Sequence, residues 1–107
     1  MKFIALEVSL DVIRSLRVTV APLRKSDPKL YDQIRRAASS VALNLAEGRR
    51  RRGADRRHFW RIAAGSADEV QTALRVSVAW GDLGVDAVED TLVMLDRLLG
   101  LLWGLTR

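Results

Sequence analysis

The sequence contains no cysteine, one histidine and only two prolines among its 107 residues. The absence of cysteine excludes disulfide bonds, thiolate catalysis and cysteine-based metal sites, and it fits a reducing, cytoplasmic location. The scarcity of proline permits long uninterrupted helices. With 49% hydrophobic and 29% charged residues, the composition is that of one folded domain spanning residues 1–107.

Long hydrophobic runs are also missing. The longest apolar stretch, Leu98–Leu105, is far shorter than the ~20 residues that a membrane-spanning helix needs. Near the start of the chain, Glu7 and Asp11 interrupt the apolar sequence, so no signal-peptide core forms. We therefore expect no membrane partner.

The sequence offers no catalytic or metal-binding constellation. His58 is the only histidine, whereas a metal site needs three or four suitable ligands. The acid pairs Asp68-Glu69 and Glu89-Asp90 are adjacent in sequence, so the two members of each pair point in different directions on a helix. Ser66 has no base within helical reach, and no phosphate-binding loop is present. We predict a protein without enzymatic activity, cofactor or metal.

The first segment of the chain is ambiguous between strand and helix. Large apolar residues alternate over positions 4–12, which is typical of a strand. A second apolar set has helical spacing and consists of Leu6, Leu10, Ile13, Leu16 and Val20. The following Pro22 ends or bends whichever element precedes it.

The rest of the chain predicts three helices. Asp27 and Pro28 are a typical N-cap and first helical residue, and Gly48 is a typical end. The next helix is predicted to begin at Ala54 or Asp55, and a tight turn at 81–84 precedes the last one. Apolar positions at helical spacing in the 54–80 helix are Phe59, Ile62, Ser66, Ala73, Val76 and Trp80. Short links between helices of about 20 residues predict an all-α, up-down-up-down antiparallel four-helix bundle.

The last predicted helix is apolar on two faces, whereas a monomeric bundle needs only one. We interpret the second face as a subunit interface formed by Met94, Leu98, Leu101 and Leu105. An alternative is a frayed C-terminus in which Trp103 folds back on the core of its own chain.

Arginines are concentrated at one point of the chain. The formal net charge is +5, and fifteen of the 18 basic residues are arginine. Seven of them fall within thirteen residues: Arg49, Arg50, Arg51, Arg52, Arg56, Arg57 and Arg61. Guanidinium groups beside a helix N-terminus form a favourable site for phosphate. We predict that this set, here called the arginine corner, binds nucleic-acid backbone; the alternative is a solvated surface offset by Glu47 and Asp55.

Two polar residues, Asn44 and Glu69, fall on or near the apolar stripes of their helices. A buried polar group must find a partner, and such residues can fix helix register. We interpret both as structural and expect a mutual hydrogen bond between them.

Two sequence blocks resemble a known bacterial family. Residues 34–48 read IRRAASSVALNLAEG and resemble the stretch R-A-x-x-S-[IV]-x-x-N-[IL]-A-E-G. Phe59 followed by Ala64-Gly65-Ser66 and Glu69 resembles the second block, F…A-x-G-S-x-x-E. The family comprises four-helix bundles encoded in intervening sequences of 23S ribosomal RNA genes and the accessory variability determinant of diversity-generating retroelements.

The resemblance implies more than the spacing does. It implies that Ile4–Val20 is helical, that protomers form a ring-shaped homopentamer, and that a basic surface suits RNA or DNA. In the retroelement branch it implies a reverse-transcriptase partner. The resulting expectation is an oligomeric nucleic-acid-binding protein of the 23S rRNA-intervening-sequence type. The alternative is a protein–protein adaptor that uses the basic surface to dock a partner.

Overall fold

A computed structural model describes residues 2–107, and this part of the chain is helical without any strand. Four long helices and one short one follow each other in the order α1 (Ile4–Thr19), α2 (Leu23–Ser26), α3 (Pro28–Arg49), α4 (Gly53–Trp80) and α5 (Val85–Thr106). The prediction of an all-α fold is therefore confirmed. The single-turn helix α2 was not predicted; it fills the connection that begins at Pro22.

The four long helices form an elongated bundle with extents of 43 × 22 × 21 Å. Helices α1 and α4 each pack against both α3 and α5. Side-chain contacts run antiparallel between neighbours, since residue 45 contacts 60 and residue 33 contacts 69 across α3 and α4. The same order holds across α1 and α5, where Ser15 contacts Thr91 and Thr19 contacts the carbonyl oxygen of Ala87.

The ambiguity of the first segment is resolved in favour of a helix. Buried residues of α1 recur three or four apart, at Val8, Val12 and Leu16, so one apolar face covers the core. A strand would need a neighbouring strand for its backbone hydrogen bonds, and residues 2–107 provide none.

The predicted helix boundaries follow from local chemistry. Asp27 accepts a 3.1 Å hydrogen bond from the backbone N–H of Leu30, and Pro28 occupies the first turn of α3. Gly81 ends α4 with φ of +81°, a left-handed conformation that glycine adopts without strain. The turn after it buries Leu83 and delivers the chain to α5.

The predicted apolar face of α4 is correct at Ala73, which is buried, and wrong at three of its larger members. Ile62, Val76 and Trp80 are exposed, whereas the buried face lies about one residue further along. Its members are Trp60, Ala63, Ala67, Val70, Ala73, Leu74 and Ser77. The small residues Ala63 and Ala67 allow close approach of a neighbouring helix, so packing selects their face over the one with larger side chains.

The predicted interface on the last helix also needs correction. Leu98 is 0% exposed within a single protomer and belongs to the core, so it offers no surface to a partner. Met94, Leu101 and Leu105 are half-buried and pack against the same core. Helix α5 continues to Thr106, and Trp103 is 63% exposed, so the alternative of a frayed end with a folded-back tryptophan is wrong.

Candidate nucleic-acid interface

The arginine corner lies at the connection between α3 and α4. Helix α3 ends at Arg49, and α4 begins at Gly53 after a link of three arginines. Gly53 has φ of +55°, a left-handed value that favours glycine and lets the chain reverse within this short link. The sequence prediction of a short basic connection is correct to within two residues at each end.

Two carboxylates hold part of the link in place. Glu47 accepts hydrogen bonds from Arg51 at 3.0 Å and from Arg50 at 3.1 Å, and the second arm of Arg51 reaches Asp55 at 3.2 Å. Arg51 thus bridges the last turn of α3 and the first turn of α4. The hydrogen bond from Arg51, and after it the bond from Arg50, lowers the pKa of Glu47. The hydrogen bond to Glu47 in turn raises the pKa of Arg51. These pairs are exposed, so their effect on stability is small.

Arg56 has a structural role. Its Nε donates to the carbonyl oxygen of Gly48 at 3.1 Å and its Nη2 to that of Arg49 at 2.9 Å. These carbonyls lie in the last turn of α3, where a cation is favoured, and that of Gly48 also accepts a 3.0 Å bond from the backbone N–H of Arg51. The guanidinium also lies 5.2 Å from the ring centroid of Trp60. The nucleic-acid contact predicted for Arg56 would therefore compete with three contacts that this side chain makes inside the protomer.

Aromatic rings lie beneath two further guanidinium groups. Arg49 lies 5.3 Å from the ring centroid of Phe3, and Arg51 lies 5.1 Å from that of Phe59. Phe3 comes from the residue before α1, far away in sequence, and only tertiary packing brings it to the corner. Trp60 is buried and donates a 3.1 Å hydrogen bond from Nε1 to the carbonyl oxygen of Leu45.

The remaining arginines of the corner face solvent. The Arg50 side chain is 70% exposed although it touches Glu47. Arg52 and Arg57 are exposed, and neither forms an ion pair with any residue that the structure describes. Arg52 is also the N-cap of α4 and supplies no side-chain hydrogen bond to the helix. Three positive groups therefore remain available to an anion beside a helix N-terminus.

Arg61 lies apart from the link. It follows Arg57 by one turn of α4 and lines a depression of about 460 Å³ between α4 and the end of α5, together with Trp103 and Arg107. The corner thus continues along α4 towards the C-terminus and is wider than the link alone.

The expected hydrogen bond between Asn44 and Glu69 is absent. Asn44 donates to the backbone oxygen and to Oγ of Ser40, at 2.9 and 3.0 Å, and Ser66 donates to the same Ser40 Oγ at 2.9 Å. Glu69 is exposed and accepts a 3.3 Å bond from Gln33. The antiparallel register of α3 and α4 pairs residue 40 with 66 and residue 33 with 69, which separates the two predicted partners. Asn44 keeps a structural role, within its own helix.

No other group in residues 2–107 suggests chemistry at the corner. His58 is exposed and contacts only the edge of Phe59, with ring centroids 5.6 Å apart. Over the same residues, no three histidine, aspartate or glutamate side chains come close enough to hold a metal ion. None of the described helices is long and apolar enough to cross a membrane.

Positive charge is concentrated in the first part of the chain and negative charge in the second. Residues 1–61 contain 15 of the 18 basic residues and six of the 13 acids, so their net charge is +9. Residues 62–107 contain three basic residues and seven acids, so their net charge is −4. The arginine corner is the densest point of a protomer with a strong charge asymmetry.

Comparison with known proteins identifies relatives of this fold. A family model described as 23S rRNA-intervening sequence protein matches residues 5–104. A crystal structure of a protein of unknown function from the S23 ribosomal protein family of Bacteroides thetaiotaomicron VPI-5482 matches with a TM-score of 0.86 and 18% identity, over 96% of this chain and 98% of that one. At this identity the structural likeness concerns the fold alone. Curated proteins give no match. Because the family model covers nearly the whole chain, this protein belongs to the 23S rRNA-intervening sequence protein family.

Proposed function

We propose that the protein is a non-enzymatic nucleic-acid-binding protein that contacts backbone phosphates through the arginine corner. The observation that carries this proposal is that some arginines of the corner make contacts within the protomer while others are exposed to solvent. Arg51 and Arg56 tie the two helices together, and they thereby present Arg50, Arg52 and Arg57 outward on a fixed turn. Because the turn is fixed, binding of phosphate orders only the side chains of these arginines and not the backbone that carries them.

The contacts at this surface suit backbone better than bases. Reading of bases requires exposed aromatic rings for stacking or side chains that enter a groove. At the link, Trp60 is buried and Phe59 is half-buried beneath Arg51. The exposed ring of Trp103 lies beside Arg61, at the end of the corner away from the link. The proposed binding is therefore independent of sequence and strongly dependent on salt.

We also propose that copies of the chain associate through the outer face of α4 and α5. Val85 and Val93 are 67% and 65% exposed on the rim of a groove of about 630 Å³ whose charged members are Glu89, Asp96 and Arg75. This largely apolar groove lies in the acidic part of the protomer, which complements the basic part of another copy. Head-to-tail contacts of this kind form a ring when the rotation between successive copies closes. The number of five subunits comes from the family resemblance, and it would place five arginine corners on one assembly.

The test of nucleic-acid binding is a charge-removal variant that leaves the turn intact. Arg50, Arg52 and Arg57 are changed together to alanine, and affinity for duplex DNA and RNA is measured between low and moderate salt. Each phosphate contact contributes about 0.9 to the slope of log K against log salt, so we expect the slope to fall by about 2–3 per protomer. The matched control is Arg14→Ala with Arg97→Ala, which removes two exposed arginines that lie outside both the corner and the groove.

Three outcomes would contradict this function. An unchanged affinity and slope in the triple variant would show that the corner does not contact phosphate. Capture of an acidic protein that survives nuclease treatment, such as a reverse transcriptase, without nucleic-acid binding would instead support an adaptor role. Turnover of nucleic acid by rigorously pure protein would overturn the non-enzymatic assignment.

A further inference from the structure

A second group of arginines surrounds Tyr31 at the other end of α3. The guanidinium of Arg24 lies 5.8 Å from the Tyr31 ring centroid, and that of Arg35 lies 5.9 Å from it. Arg17 of α1 lines the same small cleft, of about 80 Å³, with Tyr31 and Arg35. We call Arg17, Arg24, Tyr31 and Arg35 the Tyr31 cluster. Three helices contribute to it, so only the tertiary fold assembles it.

The arginines of the Tyr31 cluster lack counter-ions. No carboxylate within residues 2–107 forms an ion pair with Arg17, Arg24 or Arg35. The nearby acidic residues either bind another group or form no ion pair with these arginines. Asp27 caps α3, and Asp32 is exposed without an ion pair to a described residue. Converging like charges without counter-ions are unfavourable in the free protein, and a bound anion would offset that repulsion.

The Tyr31 cluster and the arginine corner share one face of α3. Tyr31 and Arg49 are 18 residues apart, which equals five helical turns, so both lie on the same side of the helix at a separation of about 27 Å. Each is part of a guanidinium–aromatic contact. Between them, this side packs against α1, which lies beside Tyr31 at one end and Arg49 at the other and helps to bury Ala38 and Leu45. A polyanion that joins the two sites would therefore follow the outer edge of the α1–α3 seam, where Ser39 is exposed. At 3.4 Å per phosphate on one strand, the distance corresponds to about eight phosphates.

We propose that the Tyr31 cluster is a second phosphate-binding site and that backbone bound at the arginine corner extends along the outer edge of the α1–α3 seam to reach it. The proposal rests on the proposed function, because the corner must bind nucleic acid for the two sites to share one ligand. The ligand class is a nucleic-acid backbone at least about eight phosphates long. Tyr31 serves to hold the two guanidinium groups in position.

The test uses the double variant Arg24→Ala with Arg35→Ala on duplexes of two lengths. For duplexes of about 16 base pairs we expect the salt slope to fall by about 2 per protomer, from two lost phosphate contacts. Duplexes of about six base pairs cannot span both sites. For their binding at the corner, the salt slope of the double variant should therefore equal that of the wild type. DNA and RNA duplexes are compared in parallel to establish which backbone is bound.

Controls separate this proposal from the general function. Arg24→Lys with Arg35→Lys keeps both charges and should retain most of the slope, and circular dichroism should show equal helicity in every variant. If the Arg50, Arg52 and Arg57 variant loses slope on long duplexes while the Arg24 and Arg35 variant does not, the second site is wrong and the corner stands. If the wild-type protein binds neither duplex, both proposals fall. Loss of polyglutamate binding without loss of nucleic-acid binding would also overturn the second site, in favour of an acidic protein ligand.

Discussion

The Nε atom of Arg56 donates a 3.1 Å hydrogen bond to the carbonyl oxygen of Gly48, and this bond joins the first turns of α4 to the last turn of α3. The same guanidinium reaches the carbonyl oxygen of Arg49 at 2.9 Å. A residue of the arginine cluster thus satisfies the C-terminal carbonyls of the preceding helix. It thereby fixes the turn that carries the exposed arginines.

Arg56→Ala should destabilise the fold more than Arg57→Ala. The first change removes two hydrogen bonds from a charged donor and leaves helix-terminal carbonyls without that partner, which we expect to cost about 1–2 kcal/mol. The second removes an exposed side chain, and its effect should stay within about 0.5 kcal/mol. Chemical denaturation of the two variants measures the difference. Equal free energies of unfolding would show that the bonds to Gly48 and Arg49 do not support the turn.

Gly48→Ala should be strongly unfavourable for a steric reason. A Cβ at this position would lie 2.5 Å from Cδ1 and Nε1 of the buried Trp60 ring, and such overpacking typically costs about 1–3 kcal/mol. Gly65 is the matched control, because a Cβ there meets no atom within 4 Å. Gly65→Ala should stabilise α4 by about 0.5–1 kcal/mol through helix propensity. Thermal melting that ranked the two variants in the opposite order would contradict this account.

Leu98 and Val93 should separate folding from assembly. Leu98→Ala opens a cavity in the core and should cost about 2–5 kcal/mol. Val93→Glu places a charge on the exposed face of α5, so it should preserve helicity while disrupting self-association. Light scattering and circular dichroism on both variants test this. A monomeric wild type, or an unchanged assembly in Val93→Glu, would refute the proposed interface.

The ion pairs of Glu47 should respond to acid. The bonds from Arg51 and Arg50 depress the folded-state pKa of Glu47, so their contribution to stability is present above the ordinary glutamate pKa of about 4.3 and is lost as pH falls through the lower folded value. The melting temperatures of wild type and Glu47→Gln should therefore differ slightly at neutral pH and converge near pH 3. Asp68→Asn, at an exposed acid without an ion pair in the described structure, is the control. A difference that widened in acid would contradict the assignment.

Helix boundaries were predictable because local chemistry sets them. Asp27, Pro28 and Gly81 act through their own backbone and the first or last helical turn, which the sequence shows directly. The buried face of α4 was not predictable in this way. Ala63 and Ala67 are less apolar than Ile62 and Val76, and they are buried because a close neighbour fits against small side chains.

The candidate site was likewise predictable from the sequence only in part. The sequence alone determined that seven arginines gather at the α3–α4 connection, since their positions in the chain place them there. It could not tell which of them are used internally. That distinction depends on the carbonyl groups that end α3, on the buried ring of Trp60 and on Phe3, which arrives from the other end of the chain.

By itself, the sequence determined the last three long helices and the local density of positive charge. These follow from periodicity, capping residues and composition, all of which are properties of neighbouring positions. The resemblance of two sequence blocks added the family and the helical state of the first segment. Only the tertiary structure decided that Leu98 is core, that Arg56 holds a turn, and that Arg17, Arg24 and Arg35 converge around Tyr31. The physical reason is that burial and charge convergence are set by which helices pack together and in what register.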